Sequence, residues 1–281
     1  MNLNTKLEER KCENCESLIH NYLSKCEACN HATSPPNVYA CSSEENIKEL
    51  KERFNSTMKE AYNDDKLELV DLVDKELKDK VAVVVSMPPI ILRNLVNNPS
   101  QIYSNYEKLV EGRLRTPANP EDDSKRGEVG SIIFGSYARE ITYGILSHNE
   151  EGLPTYGHAF CKLKDITVKH RTTFMENNSY KVHNEQLLSK KIPLGLTSDW
   201  NHKEYLVLNK LYKYIKTNES VDEILVNTFQ TDGLDRSNDN FIEAHIYGGF
   251  TKNSINSMKL HHNADRDDRR DFELAQHSMQ G

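Results

Sequence analysis

Ile242-Glu243-Ala244-His245-Ile246-Tyr247-Gly248 is a run of β-branched and aromatic residues carrying a single carboxylate. Such a composition favours a strand. With a period of two, Glu243 shares a face with Phe241 and His245, so one face of that strand must accept a charge. Exposure at a sheet edge and a functional site each account for the glutamate taken alone. Two other stretches read in the same way. Arg139-Glu140-Ile141-Thr142-Tyr143-Gly144 is one, and Arg171-Thr172-Thr173-Phe174, running on to Ser179-Tyr180, is the other. Each sets polar side chains among strand formers.

Working outward, Val81-Ala82-Val83-Val84-Val85-Ser86-Met87 reads as a buried central strand stopped by Pro88-Pro89. Ile90 to Leu95 and Ile102 to Val110 read as helical. Arg113 to Gly130 reads as a polar loop, with Pro117 and Pro120, and as a candidate flap near the site. Tyr156 to Leu163 is a further strand candidate. Ser43 to Asp79 is helical, capped by Ser42-Ser43-Glu44-Glu45, with Ile47, Leu50, Phe54 and Met58 at helical spacing. Asn63-Asp64-Asp65 breaks it, and Leu67 to Leu77 supplies a second amphipathic piece. Trp200 to Ile215 is helical, and Asp232-Gly233 and Asn238-Asp239 are turn signals. Beyond Leu260 the chain is charge-dense, which predicts a helix end or a disordered tail.

The N-terminal stretch differs. Cys12-x2-Cys15, ten residues, then Cys26-x2-Cys29 has the spacing of a zinc ribbon. Tetrahedral zinc takes four thiolate or imidazole ligands, and each CxxC turn offers two sulfurs. His31 and Cys41 are weaker alternative ligands. So short a segment holds too few apolar residues to fold without the metal, which gives Zn2+ a structural role.

The chain has 281 residues, a net charge of -7 and 28% charged residues, which fits a soluble globular protein. That charge disfavours non-specific coating of DNA, although Lys162 to Lys191 is a local basic stretch. No apolar run approaches the roughly 20 residues that span a bilayer, so no membrane partner is expected. A polar N-terminus without a secretory signal makes cytoplasmic residence the default, where paired cysteines read as metal ligands before disulfides.

The three strands together offer an arginine, a hydroxyl cluster and a carboxylate. A guanidinium fork meets paired phosphate oxygens, and a carboxylate stabilises a developing sugar cation. Taken with Tyr156-Gly157, the set resembles the mono-ADP-ribosyltransferase fold in its arginine–serine–glutamate branch, over about residues 81–257. The resemblance is closer still to bacterial toxin-like members and to the RNA-modifying transferases of phage-defence toxin–antitoxin systems. It implies an α+β fold, a split β-sheet core flanked by helices, with NAD as substrate in the cleft. Arg139 would hold NAD and Glu243 would be the catalytic glutamate. Thr172, Thr173 and Ser179 are the candidates for the bracing hydroxyl, while Tyr143 or Tyr180 would stack on nicotinamide beside Gly144. Many members carry Glu or Gln two residues before the catalytic glutamate, where this chain has Phe241. That departure puts arginine modification in doubt, and Phe241 either stacks on a base of the acceptor or packs in the core.

The resulting expectation is a zinc ribbon over 1–45, a helical linker over 46–80, a catalytic domain over 81–257 and a charged tail over 258–281. The function expected is an NAD-dependent ADP-ribosyltransferase toxin acting on nucleic acid, RNA favoured over DNA, with an antitoxin partner. The alternatives are a protein-modifying transferase and a non-catalytic ribbon-bearing binding module.

Overall fold

In a computed structural model, residues 9–20, 23–77, 80–113, 120–184, 192–215, 220–229 and 239–280 are described. The valine run forms a strand as its composition predicts. The strands are β1 (Glu9–Lys11), β2 (Leu18–His20), β3 (Ala82–Met87), β4 (Ile141–Ser147), β5 (Ala159–Leu163), β6 (Thr172–Met175), β7 (Thr197–Asp199), β8 (Glu243–Tyr247) and β9 (Ile255–Leu260). β1 and β2 pair as a small hairpin in the ribbon. The other seven form one sheet in the order β7-β6-β8-β4-β3-β5-β9, and every neighbouring pair is antiparallel. The chain is a mixed helix and strand protein, as expected.

Alternation divides the sheet cleanly. Val83, Val85, Met87, Leu146, Phe174, Ala244 and Ile246 fall on one face and join the main apolar core. Helices supply the rest of that core through residues such as Leu50, Val73, Leu92, Leu206, Ile224 and Phe272. The opposite face carries Tyr143, Glu243 and His245, together with two smaller apolar clusters around Val84 and Phe134.

The sheet is continuous in hydrogen bonding, where two separate small sheets were expected. Its continuity is nevertheless thin in the middle. β3 pairs with β4 only through Ala82↔Ser147, Val83↔Leu146 and Val84↔Ile145. Val85–Met87 turns to β5, and Ile141–Gly144 stays with β8. The two central strands therefore part company beyond Val84, and a cavity opens between them.

Four regions depart from the sequence reading. Residues 46–80 are not a linker. The helices Glu44–Asn63 and Leu67–Leu77 bury Leu50, Ala61, Val70, Val73 and Leu77 in the core, because their apolar stripes face the sheet. Ser43 does cap the first of them, accepting from the Asn46 N–H at 3.4 Å. The polar stretch expected as a loop is helical over Pro120–Phe134, beginning on a proline whose missing N–H costs nothing in a first turn. Residues 114–119 of that stretch, Asp232-Gly233, Asn238 and Lys190-Lys191 lie outside the described residues. The C-terminal segment folds as β9 and the helix Arg266–Gln280, in which Phe272 and Ala275 are buried and pack with the helix Pro89–Asn97. Finally, Arg139 precedes its strand in the 3₁₀ turn Gly135–Glu140, and Ser179 and Tyr180 begin the helix Ser179–Asn184.

Candidate active site and metal centre

The four cysteines converge. Cys12, Cys15, Cys26 and Cys29 place their sulfurs all within 4.8 Å of one another. Cys12 and Cys29 sulfurs are 3.7 Å apart, and those of Cys15 and Cys26 are 3.6 Å apart. A tetrahedron with zinc–sulfur bonds of about 2.3 Å requires sulfur separations of about 3.8 Å. The donor set therefore fits a metal ion such as zinc. Two equivalent turns build it. The Cys12 and Cys26 carbonyls accept from the N–H of Glu16 and Asn30, at 3.0 and 2.8 Å. Both of those residues are left-handed, at φ 59° and 57°. The Cys15 thiol is held down to about 6 by hydrogen bonding with Ser17 and then Cys29, which favours the thiolate. His31 and Cys41 stand outside the cluster, and burial pushes the Cys41 thiol up to about 11.

The ribbon is fastened to the sheet. Buried Arg10 donates to the Ser34 carbonyl at 2.6 Å and lies 4.9 Å from the Tyr39 ring, and burial lowers its pKa. The helix Pro36–Cys41 follows directly. Its Asn37 side chain donates to the carbonyls of Arg171 and His245, at 3.1 and 3.0 Å, and to Thr173 Oγ1 at 3.3 Å.

The cavity where β3 and β4 separate has a volume of about 790 Å³ including its open mouth. β3 contributes Val84 and Ser86, β4 contributes Thr142 to Ile145, and Glu243 opens β8 against them. Tyr103, Tyr106, Tyr143, Tyr156, Tyr180 and Phe241 give it an aromatic wall. Gly144 is required by close approach, since a Cβ there would meet the Val84 carbonyl oxygen at 2.8 Å. Gly157, at φ 140°, is left-handed and leaves no room either, with Met87 backbone at 2.1 Å from a built Cβ.

Glu243 is buried, and its Oε2 accepts from the Ser179 N–H at 3.0 Å. His245 Nε2 lies 3.1 Å from the same oxygen. Burial first, and the Glu243 charge second, push the Tyr143 phenol far above its ordinary value, so it stays a neutral donor. The turn that delivers Ser179 is itself anchored. Lys210, 1% exposed, donates to the Glu176 carbonyl at 2.8 Å and to Asn177 Oδ1 at 3.3 Å. Buried Glu176 pairs with Arg53 at 2.6 Å and with Lys213.

Of the residues singled out in the sequence, Glu243, Tyr143, Gly144, Ser179, Tyr180 and Phe241 meet at this cavity. Phe241 is also 2% exposed and packs with Val84, Ile145 and Phe160, so core packing accounts for it. Thr172 and Thr173 do not reach the cavity. Thr172 Oγ1 donates to the Val168 carbonyl at 2.9 Å, and Thr173 is covered by Asn37. Arg139 is also elsewhere. It is half exposed, paired with Glu107 at 3.4 Å and with Glu111. It lines an adjoining cavity, about 610 Å³ with its open mouth included, that shares Asn105, Tyr106, Arg126 and Tyr143 with the first.

Arg126 is the guanidinium that both cavities share, stacked 4.2 Å from the Tyr106 ring. The polar, glycine-containing stretch around it reads as a loop, which hid it. His245 was legible, because a residue two beyond Glu243 on a strand must share its face. The basic stretch is partly spent inside the fold. Lys162 pairs with Glu150 at 2.9 Å, Lys164 donates to the Asn253 carbonyl at 3.0 Å, and Arg171 donates to the Tyr247 carbonyl at 2.5 Å.

No family model matches the chain, and no curated protein matches it in sequence. Among the described residues no helix is long and apolar enough to cross a membrane.

Proposed function

We propose that the cavity at Glu243 binds NAD and that the chain is an ADP-ribosyltransferase, moving ADP-ribose to a nucleic acid acceptor, RNA in preference to DNA. The observation carrying this reading is the buried Glu243 carboxylate, held from behind by the Ser179 N–H and presented in an aromatic-walled cavity between parted strands. Nicotinamide suits a wall of tyrosines, whose flat apolar rings end in polar rims. The ribose 2′-OH would donate to Glu243. The bond between the ribose anomeric carbon and the nicotinamide nitrogen then breaks, its electron pair leaving with nicotinamide, and the carboxylate stabilises the oxocarbenium ion that remains. An acceptor nucleophile attacks that carbon and loses its proton.

Arg126, standing between the two cavities, is the natural partner of the pyrophosphate. Arg139, on the second cavity, would meet the far end of the dinucleotide after exchanging its half-exposed carboxylate partners, which contribute little in water. In this reading the ribbon is a structural zinc module beside the site. An RNA-marking enzyme would injure its own cell, and a neutralising antitoxin and a role in phage defence follow from that. Internal use of Lys162, Lys164 and Arg171 favours a protein acceptor as the second reading.

Purified protein should release nicotinamide from NAD, and Glu243→Gln should not. Equal release by both would end the enzyme reading and leave the ribbon-bearing binding module. Labelled NAD incubated in parallel with RNA, DNA and protein identifies the acceptor, and label confined to protein would select the second reading.

A further inference from the structure

Two nitrogens meet on a single oxygen of Glu243. The Ser179 N–H and His245 Nε2 approach Oε2 at 3.0 and 3.1 Å. A charged carboxylate only accepts, so with Glu243 as the anion the Nε2 proton lies on His245 and the ring donates. The ring is also fixed in place. His245 is 2% exposed. Phe134 meets it edge-on at 4.8 Å and 78°, and Tyr143 meets it at 5.6 Å and 87°. Its backbone is clamped as well, paired across from Tyr143 on β4 and Thr173 on β6, with the carbonyl taken by Asn37 at 3.0 Å.

We propose that His245 is a positioning residue for Glu243. It occupies Oε2 together with the Ser179 N–H, fixes the carboxylate torsion, and leaves Oε1 as the oxygen offered to a hydroxyl in the cavity. A glutamate side chain in a roomy cavity has several rotamers, and its terminal torsion is broad and soft. Two donors on one oxygen remove that freedom before a ligand arrives, which is how a reacting group is kept within the tolerance that rate requires. The ring is suited to this because the aromatic edges of Phe134 and Tyr143 hold it in one orientation. The catalytic consequence rests on the ADP-ribosyl transfer reading, whereas the hydrogen bond itself does not.

The test has two arms. In wild-type protein labelled with 15N-histidine, Nε2 of His245 should be a protonated nitrogen, with the resonance assigned by its loss in His245→Gln. A bare Nε2 would overturn the proposal, whatever the activity. In the second arm, His245→Phe keeps the ring volume and removes the donor, while His245→Gln keeps an N–H near the position of Nε2. His245→Phe should lower kcat for nicotinamide release by about 10- to 100-fold with KM changed less than about threefold, and His245→Gln should recover most of the loss. Unchanged kcat in His245→Phe, or equal damage by both variants, would overturn it. Should wild type release no more nicotinamide than Glu243→Gln, the functional reading falls, and the nitrogen resonance still decides the positioning contact.

Discussion

The two faces of the seven-stranded sheet are made by the same strands and do opposite work. On the helix-covered face, Val83, Val85, Phe174, Ala244 and Ile246 are all buried among apolar neighbours. On the other lie Val84, Tyr143 and Glu243, which border a cavity, and His245, which stands against Glu243. Ala244 and Glu243 are adjacent in the chain, yet one is packed in the core and the other borders the cavity. A period of two lets a strand serve both purposes, provided one face alone supplies enough apolar burial to hold the fold. The polar face is then free to bury a carboxylate and a histidine.

Substitutions on opposite faces should therefore separate stability from activity. The largest effect is expected from Phe174→Ala on the helix face. That side chain is wholly buried, its ring centroid 5.5 Å from that of Trp200 and tilted 50° to it. Its removal should lower the free energy of unfolding by about 3–5 kcal/mol, read by urea denaturation. Glu243→Gln should do the reverse, reducing nicotinamide release by about 100- to 1,000-fold while unfolding changes by about 1 kcal/mol or less. A large loss of stability in Glu243→Gln would show that the polar face also holds the fold together.

A third measurement bears on the ribbon. Wild-type protein should carry one tightly held zinc, measured by atomic absorption, and Cys26→Ser should lose it. Because Asn37 bridges from the helix that follows the ribbon to the His245 carbonyl of β8, metal loss should also raise hydrogen exchange at His245 and Ile246. Smaller again is the contrast between two arginines. Arg126→Ala should raise the KM for NAD by about tenfold, and Arg139→Ala by about threefold or less, since only Arg126 borders the Glu243 cavity. The smallest effect is a slope. Burial holds the Lys210 amine well below its ordinary 10.5, so between that lowered value and 10.5 the unfolded chain carries the extra proton. Stability from this group is complete above 10.5 and is lost as pH falls through the lowered value. Lys210→Met should flatten that rise in a pH series of denaturation curves.

Local patterns were readable without a structure. The two CxxC turns announce a metal site because four ligands within a short stretch leave the chain few ways to arrange them. The valine strand, the Ser43 cap and the helix break at Asn63 follow from neighbours a few residues apart. The face of Glu243 was legible because alternation assigns one; Tyr143 and Tyr180 were singled out through the resemblance, and Tyr103 and Tyr106 were not. The polar helix Pro120–Phe134 was not, since its glycines and charges mimic a loop and the helix is stabilised by what it packs on. Nor was the role of Arg139, because an arginine beside a strand says nothing about which carboxylates wait across the fold.

The sequence by itself determined the ribbon, most of the strands and helices, and the face on which Glu243 lies, all of which depend on spacings of two to four residues. Only the tertiary structure decided that β3 and β4 separate beyond Val84, that Arg126 and not Arg139 enters the Glu243 cavity, and that Ser179 acts through its backbone N–H while both threonines are turned elsewhere. Those outcomes depend on contacts between segments tens to hundreds of residues apart, and no local pattern carries the register in which such segments meet.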